Sequence, residues 1–248
     1  MNERTIGAVR GATVVSVGCL AIAAAWSLLF GAAVTAPAGP SGDNATLFAW
    51  WRPVAWQTAG FHLLAAAGFI GLVVVAATLR GHPASRAHAA QGLRAAAALI
   101  AAGALVVAIA NVIRVGGQQA VLDASTTRMD PDILGTIGYT VDRIADALQS
   151  GGYAVLGVGA LALAPMLRGS RVDRLWDVSA VALGSGVLAL AVVSQTDASG
   201  LVDPITALLA LVVLPVWAWR LQRHAARPEP VNDSDAVPWT AAAETAAE

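Results

Sequence analysis

The sequence predicts an all-α fold, a polytopic membrane bundle of six transmembrane helices with one outer amphipathic helix. Three observations carry that expectation. Hydrophobic residues make up 57% of the 248-residue chain and charged residues only 12%, a balance outside the range of water-soluble domains, so part of the solvent must be lipid. Six apolar runs approach or exceed the roughly 20 residues that a helix needs to cross the hydrocarbon core. Arginine then alternates between the connections, as it does when cytoplasmic loops retain positive charge.

The runs fall at about 12–35, 58–79, 93–113, 147–167, 177–195 and 204–219. The first four are amply long. The last two are shorter and the sixth contains Pro215, but Trp176, Trp217 and Trp219 stand where an interfacial aromatic belt is expected. All fifteen basic residues are arginine, and eleven of them flank one set of loops: Arg4 and Arg10; Arg80, Arg86 and Arg94; Arg168, Arg171 and Arg174; Arg220, Arg223 and Arg227. The opposite side keeps Arg52, Arg114, Arg128 and Arg143 beside eight aspartates. Both termini are therefore expected in the cytoplasm of a cell membrane protein. The first run is longer than the 7 to 15 residues of a signal-peptide core, which favours an uncleaved anchor over a removed leader.

Between the spans, the 37–57 connection opens with Pro37, Gly39 and Pro40 and turns into an aromatic stretch with Trp50, Trp51 and Trp56. Rings of this kind belong at the outer headgroup level, as anchors or as a lip over an outward-facing pocket. The connection after the third span carries a helix start, with Asp130 as cap, Pro131 in the first turn and Asp132 behind it. From there Ile133, Leu134, Ile137, Val141, Ile144 and Leu148 make an apolar stripe, with Asp132, Thr136, Thr140, Arg143 and Gln149 opposite. An amphipathic helix over about 131–146 is expected to lead into the fourth span, bending at Gly151 and Gly152. The 228–248 tail has five acids, no base and little to bury, and is expected to be a disordered cytoplasmic segment.

Polar groups in or at the rim of a membrane helix are costly, so they are the first place to look for function. Asn111 and Arg114 end the third span, and Asp142, Arg143 and Asp146 precede the fourth. If these helices pack side by side, the five residues form one polar cluster, either a lock between helices or a ligand or proton site. Arg143 and Asp146, three apart, share a helix face and offer an internal pair. His62, near Gln57 and Thr58, needs a polar partner at its depth and is expected to be a packed, hydrogen-bonded histidine.

Other chemistries find no support in the sequence. The other histidines, His82, His88 and His224, lie in cytoplasmic connections, and no HExxH helix or cysteine cluster exists, so no metal site and no haem or other cofactor is expected. Cys19 sits alone within the first span. Gly157-Val158-Gly159 lies inside an apolar helix, so it is no dinucleotide loop; with Gly68, Gly71, Gly184 and Gly186 it reads as a helix-packing surface. Net charge is close to zero without a basic stripe, which argues against nucleic acid as a partner. Membrane lipid is the expected partner, with another membrane protein or a second copy as further partners.

The segment from Tyr139 to Leu148, followed by a glycine-rich apolar helix and a short arginine-rich turn, resembles uncharacterised actinobacterial six-helix membrane proteins catalogued as a domain of unknown function. In that family an aromatic residue precedes an Arg-x-x-Glu step. Arg143 and Asp146 take those two places here, with Asp for Glu and Asp142 at the aromatic position. The resemblance covers the last four helices and implies a fold more than an activity. The leading functional expectation is a non-enzymatic membrane subunit that binds lipid or supports a partner. A small secondary transporter, and a lipid-acting intramembrane enzyme using Asp142, Arg143 and Asp146, are the alternatives.

Overall fold

Lipid offers no hydrogen bonds to an exposed backbone, so a chain this apolar closes its N–H and C=O groups within helices. The computed structural model describes residues 3–31, 44–80, 87–127, 129–166, 174–196 and 201–225. These residues are helices and turns, with no strand among them. The order is α1 (Glu3–Gly31), α2 (Asn44–Trp51), a 3-10 turn (Arg52–Val54), α3 (Ala55–Arg80), α4 (Ala87–Ala124), α5 (Pro131–Met166), α6 (Arg174–Val193), α7 (Val202–Leu208), a π segment (Leu209–Val213) and α8 (Leu214–Ala225). Six helical stretches are long and apolar enough to cross a membrane: Arg10–Leu29, Asn44–Arg80, Gln91–Ala124, Pro131–Met166, Arg174–Val193 and Val202–Arg223. Large apolar side chains such as Leu29, Val178, Val192 and Leu208 point outward from every part of the bundle. A water-soluble monomer does not present such a continuous apolar girdle, whereas a membrane protein requires it. This is a membrane protein.

Successive spans run antiparallel, and their contacts follow small residues, as expected where packing alone joins helices. A β-carbon at Gly103 of α4 would stand 2.5 Å from the Leu156 backbone nitrogen of α5 and 2.6 Å from the Gly152 carbonyl oxygen. The two backbones therefore meet only because both positions lack side chains. Between α1 and α3, the Ser16 hydroxyl donates to the Gly68 carbonyl at 2.8 Å. The bundle has two unlike ends. Arg10, Arg80, Arg94, Arg174, Arg220 and Arg223 mark one, here termed the arginine end. At the other, the aromatic end, α2 lies across α4 and α5, with Phe48 buried against Val121, Leu122 and Leu134.

The structure departs from the sequence reading in four places. The third span does not stop near residue 113; α4 continues to Ala124, because Val121 and Leu122 find a core under α2. The amphipathic helix is present and is continuous with the fourth span, without a break at Gly151 or Gly152. Gly152 serves close approach instead, its missing β-carbon leaving room for the Val107 side chain and the Gly103 carbonyl. Trp176 and Trp217 are core residues rather than belt residues, 0% and 2% exposed. Their rings stack at 6.3 Å, and the Trp176 indole donates at 3.0 Å to the Ala164 carbonyl in the last turn of α5. Trp219 is exposed, with Arg220 and Arg223 over its ring. The last span, finally, is not a plain α-helix. Pro215 brings no N–H and crowds the carbonyl four residues back, and the chain answers with a π segment in which the Leu214 N–H reaches the Leu209 carbonyl. The expected 228–248 tail and the opening of the 37–57 connection lie outside the described residues.

Candidate functional site

At the aromatic end, two helix faces with the same spacing meet. On α4, Val107, Asn111, Arg114 and Gln118 are four, three and four residues apart; on α5, Asp142, Asp146, Gln149 and Tyr153 repeat that pattern. Each set forms one stripe of a helix, and the close α4–α5 contact at Gly103 and Gly152 brings the stripes face to face. Arg114, mostly buried, pairs with Asp146 through its Nη2 and with Asp142 through Nε at 3.6 Å. Its Nη1 donates to the Gln149 side-chain carbonyl at 3.2 Å. Gln149 in turn donates to the Tyr153 hydroxyl at 2.8 Å, and Gln118 donates to Asp142 at 3.4 Å.

A second chain of bonds ties α3 to α4. Asn111 is 2% exposed, and its amide nitrogen donates to the Val107 carbonyl at 2.8 Å. That leaves the amide oxygen as acceptor toward His62 Nδ1, at 2.8 Å. The proton of a neutral His62 ring therefore sits on Nδ1, and Nε2 is an acceptor with no partner among the described residues.

Above these bonds lies a chamber of about 430 Å³, walled by Trp26 and Ser27 of α1, Leu47, Trp50 and Trp51 of α2, Gln57, Thr58, Phe61 and His62 of α3, and by Gln118 and Asp142. The Trp51 indole is held by the Thr58 hydroxyl at 3.5 Å. The carbonyl oxygen of Gln57 is covered and has no hydrogen-bond partner among the described residues. Toward the arginine end follows a second cavity of about 100 Å³, touched by every span, with Leu20, Phe69, Ile100, Leu156, Leu183 and Leu209 among its walls. Its lining is apolar except near Asn111, Gln149, Tyr153 and Thr206. Phe61 borders both spaces.

Of the residues singled out from sequence, Asn111, Arg114, Asp142 and Asp146 converge, and His62 joins them through Asn111. Arg143 does not. It lies one residue off the stripe, exposed on the flank of α5, where its Nε donates to the Tyr139 hydroxyl at 2.8 Å and its guanidinium covers that ring. The expected pair of Arg143 with Asp146 is replaced by the pair of Arg114 with Asp146. Trp50 and Trp51 form a lip over the chamber, while Trp56 is exposed and packs edge-on against Trp26. Gln149, Tyr153, Trp26 and Phe61 were not expected at the site. For the first two, the shared four-three-four spacing with Asp142 and Asp146 was the available signal. No family model, curated protein or solved structure matches this chain.

Proposed function

We propose that the chain is a non-enzymatic, lipid-binding protein of the cell membrane, with its aromatic end outward and both termini in the cytoplasm. The observation that carries this reading is the stacking of a chamber whose wall mixes tryptophans with polar side chains on an almost wholly apolar cavity, with Phe61 between them. Such a pair of spaces fits an amphiphile: a headgroup in the chamber and the first carbons of a tail in the cavity. Arginine placement supports the orientation, and the resemblance around Tyr139–Leu148 to the actinobacterial six-helix proteins belongs to the same reading.

The test is retention of lipid by the purified full chain in mild detergent, read by native mass spectrometry. Ala65, buried on α3, lines the apolar cavity, and Ala65→Leu fills it. Displacing two or three methylenes of a tail, at about 0.8 kcal/mol each, weakens retention roughly tenfold or more. Equal retention by the filled variant, confirmed folded by its melting transition, sinks the reading. A small secondary transporter is the second reading, favoured by one observation: the π segment supplies Leu209 and Ala210 to the wall of a cavity that all six spans share.

A further inference from the structure

The geometry points to a primary ammonium as the headgroup that the chamber takes, an assignment that rests on the amphiphile reading above. The first observation is charge. Arg114 is a single cation between two carboxylates, Asp142 and Asp146. Other charges nearby are engaged elsewhere: Arg143 faces Tyr139, Arg52 donates to Ser125 at 2.9 Å, and Asp132 accepts from Asn44 at 2.9 Å. Counted by direct ion pairs, Arg114, Asp142 and Asp146 hold one more carboxylate than cation. Of the two carboxylates, only Asp142 lines the chamber. Both of its contacts, from Arg114 and from Gln118, reach the same oxygen, so Oδ2 has no donor among the described residues. A half-exposed carboxylate at the chamber wall with one oxygen lacking a donor is stabilised by a cation brought to it.

The second observation is independent of the first. His62, only 6% exposed, lines the same chamber, and its Nδ1 is committed to Asn111, so Nε2 is an accessible acceptor with no partner among the described residues. Gln57 adds a covered carbonyl that lacks a donor as well. The wall thus offers these acceptors and one negative charge beside the N–H and O–H groups of Trp50, Gln57 and Ser27, and no cation lines it among the described residues. Trp50 and Trp51 line it as well, and indole faces attract cations. An –NH3+ group satisfies all of these at once, with a positive charge for Asp142 and the rings and three N–H donors for Oδ2 and Nε2. A quaternary ammonium carries the charge but no donor. A sugar carries donors but no charge.

The experiment is a competition. The purified full chain in mild detergent receives equal amounts of phosphatidylethanolamine, phosphatidylcholine, phosphatidylglycerol and a monoglycosyl diacylglycerol with identical tails, and bound lipid is counted by native mass spectrometry. Phosphatidylethanolamine should exceed each of the others by roughly tenfold, the worth of a desolvated ion contact with its aromatic support. Asp142→Asn should bring the four lipids within about twofold of one another while total retention persists, as expected when one charge contact is removed from a largely apolar site. Trp50→Leu, which leaves the ion network untouched, should reduce the preference several-fold and decides the matter if the first variant does not fold. Preference for phosphatidylcholine, phosphatidylglycerol or the glycolipid, or an unchanged preference in Asp142→Asn, overturns the ammonium assignment while leaving lipid binding in place. Retention of no lipid at all overturns the binding reading and this assignment with it.

Discussion

The two halves of the α4–α5 seam are built on opposite principles. Toward the arginine end, Gly103, Gly152 and Gly159 bring the two backbones close, and among the described residues no polar side-chain bond joins the two helices there. Toward the aromatic end, the same two helices are joined by Arg114, Asp142, Asp146 and Gln149. The difference teaches where this fold tolerates change. A glycine contact such as that of Gly103 leaves no room to adjust, since the neighbouring atoms there are main chain and cannot turn aside. A polar contact can be rewired, and one that borders a chamber can be rewired by a ligand.

The largest loss is expected from a side chain placed in the glycine half. At Gly103 a β-carbon alone meets the Leu156 nitrogen, the Leu156 Cα and the Gly152 oxygen within 3 Å, all of them backbone. Gly103→Leu is expected to cost about 3 kcal/mol or more, at or beyond the upper range for overpacking because no rotamer relieves it. The readout is the folded, monodisperse fraction in detergent and its melting midpoint. A variant that purifies and melts like the parent would show that the helices can separate here, and the seam would lose its role as the rigid half.

A milder break removes the cation of the polar half. Arg114→Ala leaves Asp142 and Asp146 facing each other without compensation and strands the Gln149 carbonyl. Fully buried pairs lose roughly 3–5 kcal/mol when one partner is deleted; the two carboxylates here are partly open, so about 1–3 kcal/mol is expected. Combining Arg114→Ala with Asp142→Asn and Asp146→Asn removes the stranded charges together with the cation. The triple variant should recover more than half of the loss in a melting experiment. Failure to recover any of it would mean that Arg114 acts by packing and not by charge, and the surplus-charge argument would fall with it.

How far these features were legible from sequence divides along the same seam. Six spans followed from apolar length and arginine placement, because lipid leaves an apolar chain almost no alternative to helices. The polar half was also visible in outline, since Asn111, Arg114, Asp142 and Asp146 are the few residues that a membrane interior does not accept singly. Their completion by Gln149 and Tyr153 was present as a spacing but not as a contact, for a helix face is legible along one chain segment and its partner face is not. Illegible altogether was the long reach of α4 to Ala124. Residues 115–124 look like loop until Phe48, distant in sequence, supplies a surface for Val121 and Leu122. Trp176 and Trp217 mislead for the same reason, since tryptophan near a span end suits a membrane interface or a core equally, and only the stacked geometry decides.

The least change is expected at a charged residue outside the network. Arg143 sits beside Asp142 in the chain, and sequence placed it in the cluster, but 100° of helical turn carry it off the stripe to an exposed flank of α5. Its partners are on its own stripe: the Tyr139 hydroxyl, and the Tyr139 ring 5.2 Å from its guanidinium carbon. Arg143→Ala is therefore expected to leave the melting midpoint and the preference among lipid headgroups where they are in the parent. A melting loss comparable to that of Arg114→Ala, removed by the same pair of aspartate-to-asparagine changes, would place Arg143 in the network after all. The polar half would then hold two cations against two carboxylates, and the charge left over for a ligand would disappear.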